Sequence, residues 1–460
     1  MHEFLGAVLR VLLVYPNSDS EIIGYGDLGA IAEPLALAYL AAAAEEVGCE
    51  VRLVDLRFDP EVFETTFRAF APDLVAVTGY SMHVHRVREI CAATKSLDKA
   101  CQTAVGGHHA TLMPIDFHDE HIDFIVEGEG CAPFQAIIEK IRSTSASIAS
   151  DAGSLLEGVW SRGPAGTFEF GGKQPEIDLD KLPCPDRVIT SQQRSRYFID
   201  WMKPIALVRT TVGCPYRCSF CSLWKIMDGK YYRRDLEATA AEIATVKEPF
   251  IFLVDDEPFI NPGRMTALAE LLIAKDVQKE FFAYCRVDTL LRNREMLELW
   301  VKAGLRRVFL GIEGVTAKEM KSYEKRLSVR QVEQALVAAR EMGLKVFASF
   351  IVNPSYEARD FETLKRFIDR NEVDYPSFTI WTPLPGTEDF QKSYDTITKW
   401  EKSGPHAGRP DWRYWDLQHL VVESVLSEDK FMEEYQNLRS VFSGSYSLYQ
   451  QKSRLVTGIV

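Results

Sequence analysis

The feature that most limits the fold of this chain is a repeated alternation of short apolar, β-branched runs with helical patterns. In residues 9–140 the runs from residue 49 onwards carry Gly, His, Asp or Glu near their ends, and the helical pattern of 33–48 has Pro34 in its first turn and Gly48 at its end. Strands that alternate with helices predict a parallel, doubly wound (Rossmann-like) α/β sheet, whose ligands lie beyond the carboxyl ends of the strands. We therefore expect an N-terminal binding domain. Its candidate strands are 9–16, 49–56, 72–80, 102–110 and 121–130.

The same alternation resumes at about residue 203 and continues to about residue 390. Six βα units with polar residues at the strand ends predict a partial (β/α)6, TIM-like barrel with its site at the C-terminal mouth. The candidate strands are 204–211, 249–256, 280–288, 306–314, 344–353 and 376–385.

The other parts of the chain differ in composition. The small, polar residues 143–154 predict a linker, and 158–187 predict a small β-hairpin followed by a proline-punctuated connection. The part after about residue 391 is rich in Trp, Tyr and charge, and we expect a helical tail there. The predicted domains are 1–142, 143–200, 201–390 and 391–460.

The composition argues against several kinds of partner and location. The formal charge is 53 − 66 = −13, so the chain lacks the basic surplus that nucleic-acid binding needs. No apolar run reaches the ~18 residues of a membrane span, and the apolar start is too short for a signal peptide. Nine cysteines, three of them clustered, favour a reducing cytoplasm over a disulfide scaffold.

The clustered cysteines are Cys214, Cys218 and Cys221, in the sequence TVGCPYRCSFCSLWK, directly after the first candidate barrel strand. Their spacing is C-x3-C-x-Φ-C, with Phe220 at the aromatic position. A tetrahedral zinc site needs a fourth ligand, usually from a second pair of Cys or His further along the chain, and no such pair follows Cys221. Thiolates also hold iron–sulfur clusters. Three ligands leave one iron of a four-iron cluster open to a small molecule; a structural metal knuckle is the alternative.

This stretch resembles the radical S-adenosylmethionine (SAM) superfamily, which has this spacing on this loop of a partial (β/α)6 barrel. The resemblance implies that Cys214, Cys218 and Cys221 bind a [4Fe-4S] cluster. It also implies that the amino and carboxylate groups of SAM occupy the open iron, and that one electron cleaves SAM to a 5′-deoxyadenosyl radical. The electron donor would be a protein such as a flavodoxin or a ferredoxin.

The same resemblance implies contacts with SAM at the ends of four further strands. Acidic groups after the second strand would meet the SAM ammonium, although a divalent-metal site and solvated loop carboxylates are alternatives. Arg286 and Glu313 suit the SAM carboxylate and ribose, with ordinary salt bridges as the alternative, and 349–354 would lie against adenine. We expect Cys184 and Cys285 to be buried small hydrophobes. The cofactor-binding candidates of the barrel are Phe220, Asp255, Asp256, Glu257, Arg286, Glu313 and Ser349.

A G-x-G-x-x-G sequence at 24–29, with Asp55 at the end of the next strand, suggests a dinucleotide site. In such a site the glycines form the turn directly after the strand and open the helix, which then holds the phosphate at its N-terminus. Here four residues, 16–19, intervene after the strand, and the helix begins only near Pro34. The pattern therefore argues against a dinucleotide.

The first domain instead resembles the cobalamin-binding domain that precedes many radical SAM barrels, on the stretches 78–85, 105–111 and 126–130 together with 33–48. Glycines at strand ends allow the close backbone approach that a corrin ring needs. The D-x-H-x-x-G motif that supplies a histidine to cobalt elsewhere is missing, so the lower cobalt ligand is left open. His83, His85 and His109 are further candidates for contact, with satisfied loop histidines as the alternative. The cofactor-binding candidates are Ser81, Gly106, Gly107, His108 and Gly128.

Together the two resemblances imply a cobalamin-dependent radical SAM methyltransferase that moves a methyl group from SAM through methylcobalamin to an unactivated carbon. Sequence segments such as CSFCSLW, FLVDDEPFI and YWDLQH resemble those of the hopanoid C-3 methylase branch. The substrate would then be a lipid or another apolar small molecule, met by transient contact with a membrane surface. A B12-containing enzyme that rearranges or cyclises its substrate, and a non-catalytic iron–sulfur and corrin sensor, are alternatives. Four tryptophans either line an apolar pocket or pack the tail on the barrel: Trp224, Trp381, Trp412 and Trp415.

Overall fold

A computed structural model describes residues 8–18, 30–145, 155–325 and 327–457 of the chain. The G-x-G-x-x-G sequence and most of the predicted linker lie outside these residues. Up to residue 199 the elements are β1 (Arg10–Tyr15), β2 (Ala30–Ile31), α1 (Leu35–Glu46), β3 (Glu50–Asp55), α2 (Val62–Phe70), β4 (Leu74–Thr78), α3 (Val84–Leu97), β5 (Gln102–Gly106), α4 (His108–Leu112), β6 (Phe124–Val126), α5 (Cys131–Ser145), β7 (Val159–Arg162), β8 (Phe168–Phe170) and β9 (Phe198–Ile199).

The elements of the second half follow the same alternation. They are β10 (Ile205–Val208), β11 (Thr211–Val212), α6 (Leu223–Ile226), β12 (Tyr232–Arg233), α7 (Leu236–Thr245), β13 (Phe250–Leu253), α8 (Pro262–Ala274), β14 (Glu280–Arg286), α9 (Val287–Arg292), α10 (Arg294–Ala303), β15 (Leu305–Glu313), α11 (Ala317–Ser322), α12 (Val329–Glu341), β16 (Lys345–Val352), α13 (Ala358–Arg370), β17 (Tyr375–Ile380), α14 (Glu388–Ser393) and α15 (Glu428–Thr457).

The first compact unit contains residues 34–192 and the strand β1. Within the described residues its sheet has the order β3-β1-β4-β5-β6-β7-β8, and the first five of these strands run parallel. Val11, Leu12, Leu13 and Val14 of β1 are all fully buried, because helices cover both faces of a parallel sheet. The predicted doubly wound sheet is confirmed, with strands shorter than the apolar runs.

The predicted hairpin forms from β7 and β8, and it extends the first sheet by pairing antiparallel with β6. Residues 155–192 therefore belong to the first compact unit rather than to a free linker. Ladder hydrogen bonds to the β6 edge are the physical reason, because an unpaired edge strand leaves its backbone groups without partners. The functional domain boundaries predicted from composition stay predictions.

The second compact unit contains residues 30–33 and the described residues from 193 onwards. Its parallel sheet has the order β10-β13-β14-β15-β16-β17 within the described residues, so each strand pairs with the next one in the chain. This confirms the six predicted barrel strands. Glu33 Oε1 accepts a hydrogen bond of 2.5 Å from the backbone N–H of Leu207 on the edge strand β10. The Glu33 carboxylate thus accepts from a backbone N–H of β10 that, within the described residues, has no neighbouring strand on its outer side, because the barrel is not closed.

Side chains alternate between the two faces of the barrel strands. Phe281, Ala283 and Cys285 of β14 lie in the core between sheet and helices. Phe282 and Tyr284, which alternate with them, join a continuous run of ring contacts over the other face. This run connects five strands, with ring centroids 4.7–6.2 Å apart, through Phe252, Phe282, Tyr284, Phe309, Phe347 and Tyr375.

The predicted helical tail is helical only in its last part. After α14 the chain is largely irregular as far as residue 427, where Gly404, Pro405, Gly408 and Pro410 interrupt any helical pattern. The helix α15 then packs on α13 and β17, and Tyr435 Oη donates a 2.9 Å hydrogen bond to Phe378 O. No helix in the described parts of the chain is both long enough and apolar enough to cross a membrane.

We predict that Trp300→Ala lowers the free energy of unfolding by about 3–5 kcal/mol, because it empties a large buried site. Trp300 is fully buried between α10 and α8, contacts Phe259 and Phe281, and donates a 2.8 Å hydrogen bond to Met265 O. Urea unfolding followed by circular dichroism, fitted with one transition per compact unit, measures the change. The control Val337→Ala, at a half-exposed position, should stay within about 0.5 kcal/mol. Equal losses in the two variants would contradict the prediction.

Candidate active site

The three cysteines lie in a loop that leaves the barrel after β10 and is closed at its base. β11 pairs antiparallel with β12, so residues 213–231 form an excursion between them. At the base Gly213 has φ +86°, and a Cβ there would come within 2.2 Å of Lys230 O. Only glycine allows this approach of two backbone segments. This close contact between Gly213 and Lys230, called here the Gly213 pinch, fixes where the loop begins and ends.

Asp255, the first of the predicted acidic residues, binds the backbone at the start of the same loop. Its Oδ1 accepts hydrogen bonds from the backbone N–H groups of Thr210 and Thr211, and its Oδ2 accepts one of 2.9 Å from Thr210 Oγ1. The side chain is buried, and burial raises the pKa of Asp255. Asp255 is therefore a residue that positions the loop.

The cysteine loop contacts the end of one barrel strand and the segments that follow two others. Arg286, the last residue of β14, has its Nη1 3.8 Å from Cys218 Sγ. Phe220 packs edge-on against Tyr323, with ring centroids 5.6 Å apart, on the segment that follows β15 and α11. Asp389, on the helix that follows β17, accepts a hydrogen bond from the Ser219 side chain. The structure thus brings the cysteines and several of the predicted SAM residues together at the barrel mouth.

The thiols of this loop fit an iron–sulfur cluster better than a single metal ion. Each of the three cysteines is partly exposed and none forms a disulfide. Among the described residues, no group of three His, Cys, Asp or Glu side chains is arranged to hold one metal ion. Cluster cysteines need no such convergence, because each thiolate binds a different iron. Burial raises the pKa of Cys214 and of Cys221 to about 12, so iron binding at neutral pH must release protons.

Charged groups of both signs lie near the thiols, and Glu257 interacts with Arg286. The guanidinium of Arg286 stacks over the Tyr216 ring at 3.7 Å and donates from Nε to Asp288 Oδ1 at 2.9 Å. Asp256 and Glu257 follow β13. Burial raises the pKa of Asp256 to about 6 and that of Glu257 to about 8. A cation bound beside them would favour their ionised forms. These two carboxyl groups therefore suit an ammonium ligand better than Asp255 does.

Glu313 and Ser349, predicted to meet ribose and adenine, lie next to each other. Glu313 has φ +69°, an unusual conformation for a residue other than glycine, at a register shift between β15 and β16. Its Oε1 pairs with Lys325 Nζ at 2.8 Å, and Ser349 Oγ lies 3.4 Å from its Oε2. Lys325 also donates to Gly311 O at 2.8 Å. This lysine fixes the orientation of Glu313, and its sequence neighbours gave no sign of that role.

The predicted residues of the first sheet also lie together, at the carboxyl ends of β4, β5 and β6. Gly128 N donates to Thr111 Oγ1 at 3.0 Å, and Thr111 Oγ1 donates to Gly107 O at 3.0 Å. A Cβ on Gly107 would come within 2.7 Å of Thr78 Oγ1, so the protein itself requires this glycine. A Cβ on Gly106 would meet only Val126, at 3.8 Å. Gly106 therefore leaves a space for close ligand approach, as a corrin site needs.

Gly128 and the histidines of this edge have different surroundings. Gly128 has φ +83° and a Cβ there would meet Gln174 at 3.3 Å, so its backbone is covered by the protein. His83 caps the short 3-10 helix Ser81–His83, because its Nδ1 accepts from Tyr80 N at 3.1 Å. His108 packs edge-on against the Tyr80 ring at 4.8 Å, and burial lowers its pKa to about 4. His108 is therefore neutral near pH 7.

One expectation about an individual residue was wrong, and the open alternative for the tryptophans is decided for Trp412 and Trp415. The prediction that Cys184 is buried was wrong: it is exposed on the proline-punctuated connection, whereas Cys285 is buried as predicted. Trp412 and Trp415 are buried against each other, with ring centroids 4.8 Å apart, so they pack rather than line a pocket. Trp224 donates to Cys218 O at 3.2 Å and braces the cysteine loop.

Sequence reasoning missed a histidine–carboxylate pair at the barrel mouth. Asp416 is buried and accepts hydrogen bonds from His419 Nδ1 at 2.8 Å and from the backbone N–H of Gln418 and His419. Ile380 N, at the end of β17, donates to Leu417 O at 2.7 Å and fixes this segment there. The hydrogen bond to Asp416 raises the pKa of His419. The D-x-x-H spacing was the available signal.

Asp55, the acid of the apparent dinucleotide pattern, is engaged elsewhere. Arg57 Nη2 and Nε bind the two carboxylate oxygens at 2.6 and 2.8 Å, and the Arg57 guanidinium stacks over Tyr15 at 3.9 Å. A dinucleotide ribose would have to displace this buried pair. The contact agrees with the argument against a dinucleotide.

The fold and the loop define the class: a parallel barrel with three cysteines at its mouth, in one chain with a doubly wound binding unit. Two family models match this division, the Radical SAM superfamily over residues 208–368 and the B12 binding domain over residues 23–138. The chain therefore contains a radical SAM domain and a B12-binding domain. Its cofactors are SAM, a [4Fe-4S] cluster and cobalamin.

Similar proteins cover most of this chain. Hopanoid C-3 methylase from Methylococcus capsulatus is 28% identical over 436 residues, which are 93% of this chain and 78% of the relative. Anaerobic magnesium-protoporphyrin IX monomethyl ester cyclase from Rubrivivax gelatinosus is 28% identical over 402 residues, 85% of this chain and 71% of the relative. The structure of TsrM from Kitasatospora setae, a radical SAM methyltransferase, has a similar fold, with a TM-score of 0.67 and 17% identity over 93% of this chain and 85% of that chain.

We predict that replacing any one of Cys214, Cys218 and Cys221 by alanine prevents cluster assembly. Anaerobic reconstitution should give about four irons per chain in the wild type and well under one in each variant, because each thiolate holds its own iron. Cys184→Ala is the matched control, since this cysteine is exposed and outside the loop. A single variant that keeps its iron would show that the three thiols are not all ligands.

We predict that Lys325→Met lowers the free energy of unfolding by about 3–5 kcal/mol, because it leaves the Glu313 carboxylate without its buried cation. The two side chains are only 5% and 10% exposed. Adding Glu313→Gln should recover most of the loss, which urea unfolding of the single and double variants measures. The control Lys392→Met breaks an exposed pair with Glu388 and should cost less than about 1 kcal/mol. A double variant no more stable than Lys325→Met would contradict the prediction.

Proposed function

We propose that the chain is a cobalamin-dependent radical SAM methyltransferase that moves a methyl group from SAM to an unactivated carbon of an apolar substrate. The observation that carries the proposal is that one chain combines the three-cysteine loop of the barrel with a B12-binding unit. The chain is also similar to a hopanoid C-3 methylase over 93% of its length. When bound, the cofactors supply one-electron cleavage of SAM and a methyl group for transfer.

The residues of the barrel mouth have separate tasks in this proposal. Cys214, Cys218 and Cys221 hold the cluster, and the Gly213 pinch and Asp255 hold their loop in place. Asp256 and Glu257 accept the SAM ammonium. Arg286 lies close enough to Cys218 to bind the SAM carboxylate beside the cluster.

Glu313 and Ser349 would complete the SAM site on the neighbouring strands. The Lys325 ion pair holds one oxygen of Glu313, and the other lies 3.4 Å from Ser349 Oγ. Ser349 lies two positions beyond Phe347 on β16 and therefore shares the face on which the rings lie, and its contact with Glu313 places that carboxylate beside it. Ribose hydroxyl groups are the donors that this carboxylate would accept.

The aromatic run beneath these residues supports an apolar substrate. Tyr284 and Phe309 lie two residues before Arg286 and Gly311 on their strands, with ring centroids 5.0 Å apart. Flat apolar surfaces suit a polycyclic lipid such as a hopanoid as well as other apolar molecules. A lipid substrate would bring the enzyme to a membrane surface transiently. Its nine cysteines, none of which forms a disulfide, support a cytoplasmic location, where a flavodoxin or a ferredoxin would supply electrons.

Cyclisation or rearrangement without methyl transfer is the second candidate function. The similarity to an anaerobic magnesium-protoporphyrin IX monomethyl ester cyclase over 85% of this chain favours it. The two functions share the cluster, SAM and cobalamin, so the residues at the barrel mouth do not distinguish them. The products do.

We predict that the reconstituted chain, given a strong reductant and an apolar substrate extract, forms both S-adenosylhomocysteine and 5′-deoxyadenosine. Methyl-deuterated SAM should transfer label to the product, which mass spectrometry detects. Cys218→Ala, which lacks a cluster ligand, should form no 5′-deoxyadenosine. Formation of 5′-deoxyadenosine alone would favour cyclisation or rearrangement. Failure of the loaded chain to cleave SAM would overturn both functions and favour a sensor.

A further inference from the structure

Two cations flank the indole ring of Trp224 on the cysteine loop. Arg217 Cζ lies 5.3 Å and Lys225 Nζ 4.2 Å from the centroid of that ring. The indole donates from Nε1 to Cys218 O at 3.2 Å, so one hydrogen bond joins it to the backbone of a predicted cluster ligand. Arg217 is exposed, and Trp224 and Lys225 are partly exposed. These three residues, called here the Trp224 surface, present two positive charges and an aromatic ring to solvent.

The two charges have no acidic partner among the described residues. Neither Arg217 nor Lys225 forms an ion pair there, whereas Arg286 pairs with Asp288 elsewhere at the barrel mouth. Two cations beside one ring repel each other, and an anionic group placed against them removes that repulsion. The Trp224 surface therefore has charge available for a negatively charged partner.

The cysteine loop also differs in charge from the rest of the chain. Residues 213–231 contain three basic residues and one acidic residue, Asp228, whereas the whole chain has 53 basic and 66 acidic residues. A protein with an acidic surface is repelled by the net charge of the chain and attracted by this loop. Such a field orients an acidic partner during the encounter and raises its rate of association.

Apolar side chains beside the cations make this surface suitable for a protein partner. Helix α6 (Leu223–Ile226) contains no buried residue, so Leu223, Ile226 and the following Met227 are all partly exposed. A small apolar centre with a charged rim is typical of protein interfaces, and transient redox complexes use the smallest of them. A membrane surface suits the loop less well, because one helical turn has no continuous apolar face with which to lie in the bilayer interface.

We propose that the Trp224 surface docks the protein that supplies electrons to the cluster, and that this donor presents acidic residues around its own redox centre. One electron leaves the reduced donor and enters the cluster, and no bond forms or breaks. Docking on this loop shortens the path for the electron, because the Trp224 hydrogen bond ends on the backbone of a cluster cysteine. The inference rests on the proposed function, which needs that electron, and goes beyond it by assigning the docking site and the charge of the donor.

The first test is a binding titration of the reconstituted full chain with an acidic flavodoxin and with an acidic ferredoxin, by calorimetry at low and high ionic strength. The wild type should bind at least one of them, and more weakly at high salt. The double variant Arg217→Gln/Lys225→Gln should bind that donor about tenfold more weakly at low salt, with a smaller salt dependence. Iron content and thermal unfolding check that this variant folds and carries its cluster.

The matched control is Lys302→Gln/Arg306→Gln, which removes the same charge elsewhere. Both residues are exposed, Lys302 near the end of α10 and Arg306 near the start of β15, at the opposite end of the strand from the barrel mouth. This control should bind the donor within about twofold of the wild type, because charges far from a docking site are screened by salt. Equal weakening in the two double variants would overturn the inference, since net charge alone would then explain the binding.

The second test compares two ways of supplying the electron. The rate of 5′-deoxyadenosine formation is measured with the reduced donor protein and with photoreduced deazaflavin, a small reductant that needs no docking surface. The ratio of the two rates should fall about tenfold in Arg217→Gln/Lys225→Gln and stay near the wild-type value in the control. An unchanged ratio in the loop variant would overturn the inference.

The remaining outcomes separate this inference from the proposed function. A wild type that cleaves SAM with deazaflavin but binds neither donor would overturn the docking site and leave the proposed function intact. A wild type that cleaves no SAM with any reductant would overturn the proposed function, while the titration still decides whether an acidic donor binds at this loop. Loop-dependent binding to vesicles containing phosphatidylglycerol, with donor binding unaffected by the substitutions, would overturn the inference in favour of a membrane surface.

Discussion

The cysteine site depends on one constraint, the closure of the loop base between β11 and β12. Lys230 O approaches Gly213 so closely that no side chain fits, and the buried Asp255 carboxylate binds the backbone of the residues just before that glycine. Rigid anchoring matters because a cluster needs three sulfur atoms at fixed separations, and a loop of this length has many other conformations. The loop then contacts Arg286 at the end of β14, Tyr323 after α11 and Asp389 on α14.

Two of the buried pairs of polar side chains in the described residues lie on the ligand-binding edges of the two sheets. Lys325 and Glu313 form one such pair at the barrel mouth, and His109 and Asp116 form another on the first sheet. Each pair fixes the orientation of a group on a ligand-binding edge, Glu313 itself in one case and Ser81 in the other. Desolvation makes such pairs costly, and other equally buried pairs, such as Arg57 with Asp55, serve the fold alone.

Much of the fold could be predicted because its signals are local. Apolar runs of the right length gave all six barrel strands, and the cysteine spacing placed the loop after the first of them. Partners distant in sequence could not be predicted. Glu33 binds Leu207 across 174 positions, and Asp116 was hidden in a short segment between two elements. The prediction for Cys184 was wrong because the exposure of a residue in a connecting segment depends on which other segments pack over it. Composition does not contain that information.

The histidine–carboxylate pair of the tail shows how an irregular segment acquires a fixed geometry. Leu417 has φ +65°, and its carbonyl continues the hydrogen bonding of β17 by accepting from Ile380 N. Asp416 accepts hydrogen bonds from His419 Nδ1 and from the backbone N–H groups of Gln418 and His419, and the His419 side chain is 46% exposed. The pair therefore adds a group that can gain or lose a proton near neutral pH to a barrel mouth whose other acids are largely buried. Irregular backbone between α14 and α15 makes this placement available, because a helix there would carry Asp416 and His419 past the strand end.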